Sequence, residues 1–288
     1  MSSRTSHDRS HDRPSRADPP GRARVGTSGW IYKHWRGTVY PRRLAVKDWF
    51  AFYAGRFDTV EVNNSFYRLP SEAAFLEWKA QAPPGFLYAI KASRYLTHLK
   101  KLKDPEQPLA NVLDRARLLG PHLGPVLYQL PPRWRCDPDR LRAFLALLPP
   151  DLTHVMEFRD RSWYADAVRD LLAEHGVGFC VHDLGGEPSP EWVTARVVYV
   201  RFHGPTARAY AGGYPPGRLR SWADWMGEQR RAGHDVFAYF NNDDAGHAVR
   251  DAQVLRDMLG ERDGGGRPVN RGGRTGRAGP TGPPGGRN

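Results

Sequence analysis

The sequence contains little cysteine and no long run of apolar residues. Its 288 residues include two cysteines, Cys136 and Cys180, which form no CxxC pair. This count excludes a disulfide framework and suits a reducing compartment. The first 22 residues lack the apolar stretch of a signal peptide, and no segment has the length and hydrophobicity of a membrane span. We therefore expect a cytoplasmic protein with no membrane partner.

Positive charge is concentrated at the two ends of the chain. The formal net charge is +12, and residues 1–24 and 261–288 contribute +3 and +4 of it, which leaves +5 for the rest. Because more than half of this positive charge lies in the two terminal segments, the charge supports a nucleic-acid partner only weakly. The Gly/Arg-rich sequence RGGRTGRAG resembles RNA-binding tails, but its composition indicates disorder first. We expect residues 1–22 and 261–288 to be disordered tails.

Between these ends, eight short segments rich in Val, Ile, Phe and Tyr alternate with helical patterns. Such alternation predicts parallel strands joined by helical crossovers. Eight repeats over roughly 240 residues predict an α/β protein with a single (β/α)₈ TIM-type barrel at residues 23–260. A doubly wound open sheet is the competing architecture. The first strand–helix turn, GTSGWIYKHW, lacks the GxGxxG fingerprint of many such sheets, which favours the barrel.

Polar residues occur near the C-terminal ends of the predicted strands, at alternate positions whose side chains point to the same face. In TVEVNN, Glu61 and Asn63 share a face because side chains two positions apart point the same way. The same phase selects Lys91, Gln129, Glu157, Arg159, Arg201, His203 and Asn241, with Tyr199 and Tyr239 beneath them. In the sixth strand His182 and Asp183 point in opposite directions, so only one faces inward. Active sites of TIM barrels lie at the C-terminal ends of the strands, so we predict a ligand site there.

Three cations on this face predict an anionic substrate, phosphorylated or derived from nucleic acid. An enzyme of this kind, hydrolase-like, would use Glu157, His203 and Glu61 as catalytic groups that transfer protons. The predicted substrate-binding residues are Asn63, Lys91, Gln129, Arg159, Arg201, Tyr239 and Asn241. In the simpler alternative, the inward charges pair with one another and only stabilise the barrel.

Two other functions are compatible with the same residues. A glycoside hydrolase could use Glu61 and Glu157, although nearby cations would lower the pKa of the carboxyl group that must donate a proton. A non-catalytic protein could bind a small ligand in the pocket or nucleic acid on the basic loop at residues 98–103. No HExxH or comparable spacing is present, so we predict no metal ligands. The cofactor and the oligomeric state stay open.

Seven sequence motifs, in order, resemble the YecE-like family, domain of unknown function number 72. The motifs are GTSGWIYKHWRGTVYP, EVNNSFYRLP, KASRYLTH, LYQLPP, EFRDRSW, VYVRFHG and YFNNDDAGHA. The resemblance covers about residues 24–259 and implies a TIM-type barrel without an established activity. Kinship with barrels of the endonuclease IV and xylose isomerase type has been suggested for the family. Those sites need many His, Asp and Glu ligands, whereas only His203 and one further candidate, His182, could face inward here.

Overall fold

The computed structural model describes residues 19–184 and 187–263. Its strands are β1 (Ala23–Thr27), β2 (Thr59–Val62), β3 (Leu87–Lys91), β4 (Leu123–Gln129), β5 (His154–Glu157), β6 (Gly178–Leu184), β7 (Glu187–Pro188), β8 (Val197–Phe202) and β9 (Asp235–Phe240). The sheet order is β1-β9-β8-β6-β5-β4-β3-β2, with every ladder on this path parallel. The short β7 pairs antiparallel with β6 and was not predicted. These eight parallel strands with intervening helices form a nearly closed barrel, which confirms the predicted TIM-type fold.

Eight α-helices connect or follow the strands in the part of the chain that the structure describes. They are α1 (Trp49–Ala54), α2 (Asn64–Tyr67), α3 (Glu72–Gln81), α4 (Glu106–Arg117), α5 (Pro138–Leu145), α6 (Asp166–Glu174), α7 (Pro216–Arg231) and α8 (His247–Asp263). Ser71 and Asp137 cap the N-termini of α3 and α5, where they accept hydrogen bonds from backbone amides at 3.3 Å and 3.1 Å. No helix among the described residues is long and apolar enough to cross a membrane.

The barrel has a seam between β1 and β2, where the described residues form no backbone ladder. The Tyr53 hydroxyl lies in this seam, accepts a hydrogen bond from the Thr27 amide and donates one to the Thr59 carbonyl, both at 3.0 Å. The strands also approach closely here, since a Cβ added to Gly26 would lie 2.3 Å from the Thr59 oxygen. A side-chain hydroxyl thus satisfies backbone groups that a ladder would otherwise pair.

The barrel interior changes from apolar to charged toward the C-terminal ends of the strands. Its apolar layer contains Ala89, Leu127, Val155, Cys180, Val197, Tyr199, Phe237 and Tyr239. Lys91, Gln129, Glu157 and Arg201 follow members of this layer by two positions, so they point into the barrel one level higher. The larger hydrophobic core lies outside, between the sheet and the helices. The alternation of these four strands therefore places Lys91, Gln129, Glu157 and Arg201 at the mouth.

Short helical turns occur between the strands. A π-helical turn at Tyr95–Leu99 follows β3, and α2 follows β2. The predicted tail boundary at residue 22 is late. Gly21 is buried and its amide donates to the Arg230 carbonyl at 2.9 Å, while the Arg22 carbonyl accepts from Val236 at 2.8 Å. At the other end α8 continues to residue 263, beyond the predicted 260. The remaining tail predictions lie outside the described residues.

Candidate functional site

One buried arginine joins two buried glutamates at the barrel mouth. Arg201 on β8 donates from Nη2 to Glu61 Oε1 at 2.7 Å and from Nη1 to Glu157 Oε2 at 2.8 Å. Glu61 lies on β2 and Glu157 ends β5, and both carboxylates are fully buried. The structure thus brings together three of the residues that the alternation phase selected.

Four further side chains contact the two carboxylates. Tyr199 donates to Glu61 at 2.7 Å, and Ser28 donates to the same carboxylate at 2.8 Å. Gln129 donates to Glu157 at 3.0 Å, and Arg159 forms an ion pair with the other oxygen of Glu157. We call Glu61, Glu157, Arg159 and Arg201 the buried network.

Both glutamates of the buried network are held in the ionised form. Burial would raise the pKa of Glu61, but the charges of Arg201 and Lys91 lower it below its usual value. Burial also opposes ionisation of Glu157, yet Arg159 and Arg201 hold its pKa well below the ordinary range. Neither carboxyl group therefore carries a proton at neutral pH.

His203 lies beside this network and is neutral. Burial, followed by the charge of Arg159, holds its pKa well below the usual value. Arg159 Nη2 lies 2.8 Å from His203 Nε2, and an arginine can only donate, so Nε2 accepts and the ring proton lies on Nδ1. Asn241 Nδ2 lies 3.2 Å from His203 Nδ1. Because Nδ1 carries the ring proton, the amide of Asn241 must be turned so that its oxygen accepts this hydrogen bond. Both ring nitrogens are thus occupied.

The structure decides which residue of β6 faces inward. His182 pairs in register with Arg201 and follows Cys180 of the interior layer by two positions. Its Nε2 lies 3.0 Å from the Phe158 carbonyl and from the Tyr164 hydroxyl, and burial lowers its pKa to about 4. Asp183 points to the helix layer, where it pairs with Arg218 at 2.8 Å.

A cavity of about 960 Å³ lies at the mouth above the buried network. Its charged lining comprises five cationic residues, Lys91, Arg94, Arg159, Arg201 and Arg208, and two carboxylates, Asp243 and Asp244. The predicted binding residues Asn63, Gln129 and Asn241 also line it. Among the described residues, the lining does not include Glu61, Glu157, His203 or Tyr239. Tyr239 lies deeper, with its hydroxyl 2.6 Å from Thr59 Oγ1.

Three of the lining cations differ from the arginines of the buried network. Lys91, Arg94 and Arg208 form no ion pair within 4.0 Å with any carboxylate that the structure describes. We call these three residues the cavity cations. The Lys91 ammonium instead lies 4.1 Å from the centroid of the Phe66 ring. Arg94 and Arg208 are exposed at the rim.

Several lining residues were missed because they belong to loops, where alternation gives no orientation. Arg94 follows β3 by three positions, and Arg208 lies in the Gly/Pro-rich loop after β8. Asp243 follows β9 and is fixed by His34 at 2.8 Å and by Trp35 at 2.6 Å. The sequence shows only that these residues follow the C-terminal ends of strands. That position places them near the barrel mouth but does not predict which side chains point into the cavity. Among the residues described, no group of three or more His, Cys, Asp and Glu side chains could hold a metal ion.

The fold and the cavity define a TIM-type barrel protein with a charged site at the C-terminal mouth. The family model for "Protein of unknown function DUF72" matches residues 24–272, so the chain belongs to that family. The resemblance inferred from the seven motifs is confirmed.

The chain is similar to proteins from Bacillus subtilis, Escherichia coli and Thermotoga maritima. UPF0759 protein YunF of Bacillus subtilis (strain 168) is 25% identical over 268 residues, covering 82% of this chain and 94% of that protein. UPF0759 protein YecE of Escherichia coli (strain K12) is 27% identical over 156 residues, about half of each chain. The crystal structure of the DUF72 family protein TM1631 from Thermotoga maritima is 27% identical, with a TM-score of 0.76 over 83% of this chain and 99% of that chain.

Proposed function

We propose that this protein is an enzyme that binds a small anionic organic compound, carrying a phosphate or carboxylate group, in the cavity at the barrel mouth. The observation that carries the proposal is the set of cavity cations, which no described carboxylate neutralises within 4.0 Å. Positive charges around one concave site attract anions and raise their local concentration there. Arginine forks are suited to phosphate and carboxylate oxygens.

In this proposal the buried network positions the cations above it. Glu157 forms ion pairs with both Arg159 and Arg201. These ion pairs fix the orientation of the two guanidinium groups toward the cavity. Glu61 and Glu157 are ionised and lie below the cavity lining, so we assign them an orienting role instead of proton transfer. His203 holds Arg159 in the same way through Nε2. The predicted proton-transfer roles of these three residues are replaced by positioning roles.

A glycoside hydrolase and a nucleic-acid-binding protein are less well supported by the geometry. A glycosidase needs a carboxylic acid with a raised pKa, whereas cations lower the pKa of both Glu61 and Glu157. A cavity of about 960 Å³ has the size of a small-molecule site. Recognition of a nucleic acid would instead call for a basic surface that follows the backbone.

The test is a thermal-stability titration of the full-length protein with inorganic phosphate, using chloride at matched ionic strength as the control. An anion that binds only the folded state raises the free energy of unfolding by about 2.7 kcal/mol at one hundred times its Kd. Arg94→Ala should reduce this gain, because it removes a cation from the cavity lining. Arg43→Ala, an exposed arginine that does not line the cavity, is the matched control. If phosphate, sulfate and small carboxylates all leave the wild type unchanged, the proposal is wrong.

A further inference from the structure

We infer that Lys91 is a covalent binding site, whose Nζ atom forms an imine with the carbonyl carbon of an anionic aldehyde or ketone bound in the cavity. This inference rests on the proposed function, since Arg94 and Arg159 would hold the anionic end of the same molecule. It narrows the substrate class from anions in general to anions that carry a reactive carbonyl group.

The position of Lys91 suits a nucleophile. Lys91 is the last residue of β3, is 8% exposed and lines the cavity. Its backbone carbonyl accepts a hydrogen bond from Ser65 at 2.7 Å, and its Cα pairs in register with Leu127 of β4. The backbone of Lys91 is therefore held in place, and its largely buried side chain lies at the cavity where a ligand would be bound.

The surroundings of the Nζ atom indicate a role beyond charge neutralisation. Nζ lies 4.1 Å from the centroid of the Phe66 ring, and no described carboxylate lies within 4.0 Å of it. Glu61 and Glu157, the carboxylates of the buried network, are already bound by Arg201. A lysine whose function was to neutralise one of them would contact it directly. The Lys91 ammonium instead contacts an aromatic ring, and the charges of Arg201, Glu157, Glu61 and Arg159 act on it without an ion pair to either carboxylate.

These surroundings favour the free amine. Burial, followed by the charge of Arg201, lowers the pKa of Lys91 to about 7, against smaller opposing effects of Glu157 and Glu61. An ordinary lysine has a pKa of about 10.4, so at neutral pH fewer than about one amine in a thousand is unprotonated. About half of the Lys91 amines are unprotonated at the same pH. Desolvation near other cations is a known means of activating a lysine for imine formation.

The reaction requires no oxidant, reductant or further co-reactant. The lone pair of Nζ attacks the carbonyl carbon, the C=O π electrons move to oxygen, and a proton passes from nitrogen to that oxygen to give a carbinolamine. Loss of the hydroxyl group with a second proton then forms the C=N bond and releases one water molecule.

Reductive trapping tests the inference on the wild-type chain. The protein is incubated at neutral pH with glycolaldehyde phosphate and sodium cyanoborohydride, which delivers hydride to the imine carbon and leaves a stable secondary amine. Peptide mapping by mass spectrometry then compares Lys91 with the exposed Lys33 and Lys79 in the same sample. We expect Lys91 to be alkylated at least tenfold faster than either, and inorganic phosphate to suppress its labelling. Equal labelling of all three lysines would overturn the inference.

A neutral probe and two variants separate this inference from the proposed function. Labelling of Lys91 by neutral glycolaldehyde and glycolaldehyde phosphate at equal rates, without protection by phosphate, would support the imine and contradict the anion site. Phosphate stabilisation without any trapping at Lys91 would support the anion site and contradict the imine. Lys91→Arg keeps the positive charge and Lys91→Met removes it, and both should abolish labelling at this position. The comparison within the wild type does not depend on either variant folding.

Discussion

The buried network and the cavity cations lie next to each other at the same barrel mouth, but their charges are compensated differently. Arg201 contacts two carboxylates at 2.7 Å and 2.8 Å, whereas Lys91 contacts an aromatic ring. Lys91 is the last residue of β3 and Arg201 the next to last of β8, and each follows a residue of the apolar interior layer by two positions. A basic residue near the C-terminal end of a strand can therefore either stabilise the fold or remain available to a ligand. The presence of a carboxylate partner decides between these roles.

The difference follows from the cost of burying charge. Arg201 is 1% exposed and could not be buried as a cation without its two glutamates. Arg94 and Arg208 remain at the exposed rim, where water solvates an uncompensated charge. Lys91 is buried without a carboxylate contact, and the loss of its proton reduces the cost. Each region thus has its own means of avoiding an unpaired buried charge.

The largest effect is expected for Arg201→Met, which removes one partner from the buried network. Glu61 and Glu157 would lose their common cation while fully buried, so the free energy of unfolding should fall by about 3–5 kcal/mol. Urea denaturation followed by circular dichroism measures this loss. Arg117→Met disrupts an exposed ion pair with Asp151 and should leave the midpoint near that of the wild type. A loss below about 1 kcal/mol for Arg201→Met would contradict the assigned role.

Lys91→Met should change stability in the opposite direction. Between pH about 7 and the ordinary value of 10.5, the unfolded chain binds a proton at Lys91 that the folded chain does not bind, so wild-type stability falls as the pH is lowered through this window. The methionine variant lacks this titration. Its stability relative to the wild type should rise by about 3 kcal/mol from about pH 9.5 to about pH 7, then become level below about pH 6. A difference that does not vary with pH would show that Lys91 stays protonated in the folded protein.

The smallest effect on the unliganded protein is expected for the double variant Arg94→Ala/Arg208→Ala. Both side chains are exposed and form no ion pair with a described carboxylate, so the free energy of unfolding should change by about 0.5 kcal/mol or less. The Kd for phosphate should rise about tenfold or more, which corresponds to about 1.4 kcal/mol. Calorimetric titration measures it. Unchanged affinity would remove Arg94 and Arg208 from the proposed site.

The sequence by itself determined the barrel and the inward set of strand residues. Alternation of side chains along a strand is a local property, so Glu61, Lys91, Glu157 and Arg201 could be assigned to one mouth without any knowledge of their partners. Alternating strands and helices likewise predicted the parallel sheet. The turns and the rim were not predicted, as Tyr95–Leu99 and Arg208 demonstrate, because a loop has no period from which an orientation follows.

Only the tertiary structure decided which charges are paired. The hydrogen bond from Arg201 to Glu61 joins residues 140 positions apart, and the one to Glu157 spans 44. No local pattern encodes such a pairing, because it depends on how the register of eight strands sets the angle at which each side chain enters the mouth. For the same reason, alternation along β6 predicted that the side chains of His182 and Asp183 point in opposite directions, but it did not predict which one faces inward. In the folded barrel His182 lies beside Arg201, and Asp183 forms an ion pair with Arg218 of the helix layer.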